Sequence, residues 1–169
     1  MRLIKKWQNA HQSIPNRLPS RQILLAWIGA FLATLAFSGL TDLIKTPLIL
    51  GSFGASCLLV FAYATSPFAQ PRNVIGGHFV ASLTGLVVMN LMGISPLSMA
   101  VAVATAIVLM LLLKVPHPPA GSNPLIVMLS LADWDFLVTP TLLGSVVLVA
   151  VALVYNNYGG KARSYPIYW

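Results

Sequence analysis

The chain of 169 residues contains no glutamate, only three aspartates (Asp42, Asp133 and Asp135) and a single cysteine. Charged residues make up 8% of it, against roughly 25% in an ordinary soluble domain. Each shortage excludes something. So few charged side chains cannot supply the polar shell that a soluble enzyme of this size needs. A disordered chain needs low hydrophobicity, and 57% of this one is hydrophobic. The lone Cys57 lies within an apolar run, so neither an intrachain disulfide framework nor a cysteine metal site is available. The apolar stretches hold no carboxylate, which removes the usual relay for a coupled cation.

What remains is apolar and basic, with a mean hydropathy of +0.83 and a formal charge of +7. The lysines and arginines lie between apolar segments and at the ends, not along one face. That distribution points to membrane topology and away from nucleic acid. Apolar segments fall at 23–40, 47–65, 74–94, 97–113, 118–132 and 137–157. A helical crossing needs about 20 residues, and four of the segments reach or approach that length. The second is interrupted by Pro47, Gly51 and Gly54, and the fifth opens on Pro116-His117-Pro118-Pro119.

Two topologies compete: six crossings, or four crossings with two re-entrant elements. With the N-terminus inside, six crossings put every basic residue except Lys45 on the cytoplasmic side and all three aspartates outside. Four crossings move Arg72 and Lys114 outside. The positive-inside rule favours six. The expected molecule is an all-α membrane protein of the inner (plasma) membrane, with both termini cytoplasmic. A basic amphipathic arm is expected over 1–22, the transmembrane domain over 23–157 and an aromatic interfacial tail over 158–169.

Small residues recur at helical spacing in Ala26-Ala30-Thr34-Ser38, Gly77-Ala81-Gly85 and Ser98-Ala102-Ala106, a pattern that lets helices approach closely in lipid. Sliding the chain by 67 residues lays 53–60 on 120–127, with Ser56 on Asn123, and lays Gly77 on Gly144. Each half then reads as a helix, an interrupted segment and a second helix. An odd number of segments per half makes the repeats inverted, and interrupted segments at matching positions point to a transport site between them.

Polar atoms inside the apolar part are few, and those that stand out are Ser52 and Ser56 in the second segment, His117, Ser122 and Asn123 at or in the fifth, and His78 in the third. Pro118 and Pro119 suit a first helical turn. Helix N-termini near Gly54 and Gly121, lined by hydroxyl and amide side chains, suit a small anion. Gly54, Ser56, His78, His117, Gly121, Ser122 and Asn123 are therefore the candidate contacts, with Arg72 and Lys114 drawing the anion in electrostatically. A metal site from His78, His117 and Asp133 would need ligands from opposite membrane faces, so neither metal, cofactor nor catalysis is expected.

The runs Gly51-Ser52-Phe53-Gly54-Ala55-Ser56, Pro71-Arg72-Asn73-Val74-Ile75-Gly76-Gly77-His78 and Pro116-His117-Pro118-Pro119-Ala120-Gly121 closely resemble motifs of the HPP family of integral membrane proteins, over about residues 20–157. The resemblance implies membrane transport, with members in cyanobacteria and chloroplast envelopes linked to nitrite, and it implies four spans. The residues indicate a small anion; the family alone supplies nitrite. A bundle of 18.1 kDa has little room to enclose a path, so a homo-oligomer in the bilayer is expected.

Overall fold

A computed structural model of the chain describes residues 16–158 and 164–169. Among them are six α-helices and no strand. The amphipathic arm expected at the N-terminus falls mostly outside the described residues, and Ser20–Gln22 already belong to the first helix.

Helix α1, Ser20–Ile44, ends at Lys45 in the left-handed conformation, two residues before Pro47. A non-helical stretch at 47–50 leads to the short α2, Ser52–Cys57, which continues through a wider π turn, Leu58–Ala62. A single 3₁₀ turn, Pro67–Ala69, precedes α3, Pro71–Met92, which starts on a proline and stops at Gly93 with φ of 68°. Helix α4, Pro96–Leu112, opens on a capping box between Ser95 and Ser98. The second half repeats this order. Non-helical 115–117 leads to a 3₁₀ turn, Pro118–Ser122, and to α5, Asn123–Leu129. A 3₁₀ turn at Trp134–Leu137 and a π turn at Val138–Leu142 then precede α6, Leu143–Asn157.

Three helical runs are long and apolar enough to cross a bilayer: Ser20–Ile44, Pro71–Met92 and Trp134–Asn157. At 17 residues, α4 is about 25 Å long. The interrupted segments are shorter, with Ser52–Ala62 giving about 16 Å of helix. Prolines and glycines at their starts hold the preceding residues out of helix.

The halves exchange partners. Helix α1 packs on α6, and α4 packs on α3, so the first helix of each half lies against the last helix of the other. The glycines carry the same exchange. A Cβ on Gly77 would lie 3.1 Å from the Val115 carbonyl oxygen, and one on Gly144 would lie 2.5 Å from that of Leu48. The 67-residue offset relates Gly77 to Gly144 and Leu48 to Val115. Reciprocal contact of equivalent residues is what a two-fold relation produces.

The C-terminal segment folds back instead of lying free. Tyr165 is buried and donates to the Ala69 carbonyl (2.9 Å), and burial pushes its phenol above the ordinary tyrosine value. The Ile167 N–H donates to Gln70 Oε1 (2.9 Å), and the Tyr168 hydroxyl donates to the Pro67 carbonyl (2.7 Å). Buried Gln70 in turn holds the carbonyls of Ala64 and Ser66. The tail thereby fixes the 64–70 connection.

The glycine contacts make a stability test. Gly144→Ala forces a methyl against the Phe53 ring and the Leu48 carbonyl, which costs about 1–3 kcal/mol. Gly54→Ala meets nothing within 4 Å and stays within about 0.5 kcal/mol. Thermal unfolding in detergent reads the difference, and equal melting temperatures would contradict the packing.

Candidate functional site

The two short helices meet α3 at a cluster of polar side chains in the middle of an apolar molecule. Ser56, His78, His117, Ser82, Asn123 and Thr141 are fully buried (0% exposed), and Ser52 nearly so. Buried polar groups cost free energy unless bonded, and these are bonded to one another.

Ser56 is one hub. Its Oγ lies 2.9 Å from His78 Nε2 and 2.8 Å from His117 Nε2. Asn123, its equivalent by the 67-residue offset, is the other. The Asn123 Oδ1 accepts from the Ser52 hydroxyl (2.7 Å), while its Nδ2 donates to Ser82 Oγ (2.9 Å) and His78 Nδ1 (3.1 Å). The Thr141 hydroxyl reaches Ser82 Oγ from the π turn that precedes α6 (3.0 Å).

The partners fix the protons. His117 Nδ1 faces the Phe68 carbonyl at 2.7 Å, an acceptor only, so Nδ1 carries the hydrogen and Nε2 accepts from Ser56. The Ser52 hydroxyl, donating to Oδ1, orients the Asn123 amide so that its N–H meets His78 Nδ1. His78 therefore carries its hydrogen on Nε2 and donates to Ser56 Oγ. The result is a directed and neutral chain: Asn123 to His78, His78 to Ser56, Ser56 to His117, and His117 to the Phe68 carbonyl.

Local packing holds the rings. Gly77 allows the His117 backbone to lie against α3, since a Cβ there would come within 2.6 Å of His117 Cβ. Gly85 does the same for Pro124, with a 2.7 Å approach to its Cα. Phe53 packs edge-on against His78, and the two imidazole centroids are 4.9 Å apart. Asn73 Nδ2 donates to the Pro116 carbonyl (2.9 Å), pinning the non-helical residues before His117.

Four of the seven expected contact residues, Ser56, His78, His117 and Asn123, belong to this cluster. Gly121 lies beside it, half-buried, lining a cleft of about 350 Å³ with Phe68, Ile107, Met110, Pro116, His117 and Pro118. Gly54 and Ser122 point elsewhere: both are exposed, and the Ser122 hydroxyl bonds the Pro119 carbonyl of its own turn. Arg72 Nη2 lies 3.3 Å from the Leu113 carbonyl at the end of α4, a position that favours a cation. Lys114 is exposed with φ of 57°. Ser82, Thr141 and the Phe68 carbonyl were not foreseen. Spacing offered a route to Ser82, which stands one helical turn beyond His78 on the same face of α3.

Chemically the cluster offers two neutral imidazoles, hydroxyls and an amide. A hydroxyl beside an oriented imidazole is also the start of a serine nucleophile. Here the Ser56 oxygen lies between two imidazole nitrogens. Among the described residues no group of three or more His, Cys, Asp or Glu side chains is placed to hold a metal ion.

A model of the HPP transmembrane region matches residues 15–166. This chain belongs to the HPP transmembrane family. Its relatives include two Dictyostelium discoideum proteins that bear the name transmembrane protein. One is 33% identical over 98% of this chain and 56% of its own length. The other is 32% identical over 98% of this chain and 62% of its own length. The chain thus spans little more than half of these relatives. No solved structure matches the chain. The matched region includes the triplet His117-Pro118-Pro119, whose histidine is a member of the buried cluster.

The cluster's bonding predicts a specific sensitivity. Asn123→Leu leaves the Ser52 hydroxyl and His78 Nδ1 without a buried partner and takes one of two partners from Ser82, each orphaned group costing about 1–3 kcal/mol. The expected result is loss of folded protein or a large drop in melting temperature. Ser122→Ala is expected to unfold like the native chain, and equal stability of the two variants would contradict the assigned bonds.

Proposed function

We propose that this HPP family protein carries nitrite, or a similar small monovalent anion, across the membrane, with Ser56, His78, His117 and Asn123 as the groups that receive it. The observation that carries the proposal is the closed polar cluster itself. Polar residues inside a membrane protein are expensive and mark transport paths. These ones sit where two broken helices from related halves come together, the arrangement found at transporter sites. The donors suit an anion: imidazole and amide N–H groups and hydroxyls, with no carboxylate among the buried residues.

In this reading the cleft beside Phe68, Pro118 and Gly121 is the way in, and Arg72 and Lys114 recruit the anion at its mouth. Separation of His117 from Ser56 would open the chain of bonds to the cargo. Gly54 and Ser122 take no part. The protein would sit in the plasma membrane with both termini cytoplasmic. It would also self-associate: the outer side of α2 exposes Gly51, Gly54 and Ala55, and small residues permit close helix contact in lipid.

Nitrite uptake by proteoliposomes tests the proposal. The native protein is expected to admit nitrite above protein-free vesicles. His117→Ala should lower that uptake by about tenfold or more, a loss of one strong polar contact, while size-exclusion behaviour stays native. Native-level uptake in His117→Ala, or none in the native protein, would overturn it.

A further inference from the structure

We infer that His117 takes up one proton with each anion, so that the protein is a proton–anion symporter. The inference rests on the transport reading above and adds the co-substrate.

Charge is the first ground. Every buried polar side chain among the described residues is Ser, Thr, Asn, Gln, His or Tyr, and none is charged. A bare anion among them would be a buried charge without a counter-ion, which is strongly unfavourable. An imidazolium in contact with it restores neutrality.

Ser56 is the second. Its hydroxyl hydrogen points to His117 Nε2 in the neutral chain, but its Oγ also lies 3.2 Å from the Ser52 carbonyl oxygen. When a proton adds to the Nε2 lone pair, the new N–H donates to Ser56 Oγ. The Ser56 hydrogen swings to Ser52, and Oγ accepts from both histidines with its two lone pairs. No bond to carbon forms or breaks, no donor is orphaned in either state, and the arriving anion then takes the Nε2–H in place of Ser56 Oγ. The Nδ1–H stays on the Phe68 carbonyl throughout.

His78 lacks this freedom. Its Nδ1 accepts from an Asn123 amide whose orientation Ser52 fixes, so a proton there would set N–H against N–H. The proton therefore stops at His117, which lines the cleft. The groups facing His117 are Ser56 of α2, His78 and Gly77 of α3, the Phe68 carbonyl, and Met110 across the cleft. None of them carries a charge. Charged side chains near that end among the described residues include Arg72, at the Leu113 carbonyl, exposed Lys114, and Arg21 beside Ala62–Thr65.

The test uses the full chain in proteoliposomes holding a trapped pH dye, with potassium and valinomycin setting the membrane potential and protein-free vesicles subtracted. In the native protein, early nitrite uptake is expected to acidify the lumen in equal amount and to ignore the imposed potential. His117→Gln is expected to lose the proton signal, with its residual uptake following an inside-positive potential. Native uptake that follows the potential and moves no protons would overturn the symport while leaving transport standing. No protein-dependent uptake of nitrite, nitrate, formate or chloride would overturn both.

Discussion

The hydroxyl of Ser56, held between two imidazole nitrogens, sets the terms for the rest of the molecule. A serine deep in an apolar protein must be bonded, and bonding it to both His78 and His117 brings three separate segments to one point. The second segment must break before Ser52 so that a short helix carries Ser56 inward. Residues 115–117 must stay out of helix so that the His117 ring can reach in from the other half. The backbones must also come close, and Gly77 and Gly85 on α3 permit that where a methyl group would collide.

The 67-residue repeat explains why such a site lies between the halves. Ser56 and Asn123 hold equivalent places, and each is a hub with bonds that cross between the halves, yet they differ in chemistry. Ser56 binds two rings and has a spare acceptor in the Ser52 carbonyl, whereas Asn123 is fixed by a donor on one side and acceptors on the other. One hub can switch and the other is rigid. The tail adds a further tie, because Tyr165, Ile167 and Tyr168 fix the connection whose Phe68 carbonyl holds His117.

Much of this was legible before any coordinates. Ser56, His78, His117 and Asn123 stood out because polar atoms are scarce in the apolar segments, and the helical class followed from composition. Gly54 and Ser122 lie outside the polar cluster for a geometric reason. They neighbour site residues along the chain, but successive residues of a helix face different directions, so both turn outward. Ser82 and Thr141 were missed because a hydroxyl in an apolar helix can bond its own preceding turn, as Thr84 does to the Val80 carbonyl. Their partners become visible only when α3, α5 and α6 are packed. The charge of Arg72 is plain in the sequence, and its position at the Leu113 carbonyl depends on where α4 ends. The tail's tyrosines read as an interfacial belt, and the hydroxyls of Tyr165 and Tyr168 donate to specific carbonyls.

The central claim is that the imidazoles of His78 and His117 meet the cargo. Nitrogen-15 NMR of the two rings in lipid addresses it most directly. The account predicts opposite neutral tautomers at rest, with the hydrogen on Nδ1 of His117 and on Nε2 of His78, and a change at both rings as nitrite is added, His117 becoming doubly protonated. Ring signals that stay fixed at nitrite concentrations saturating uptake would contradict it.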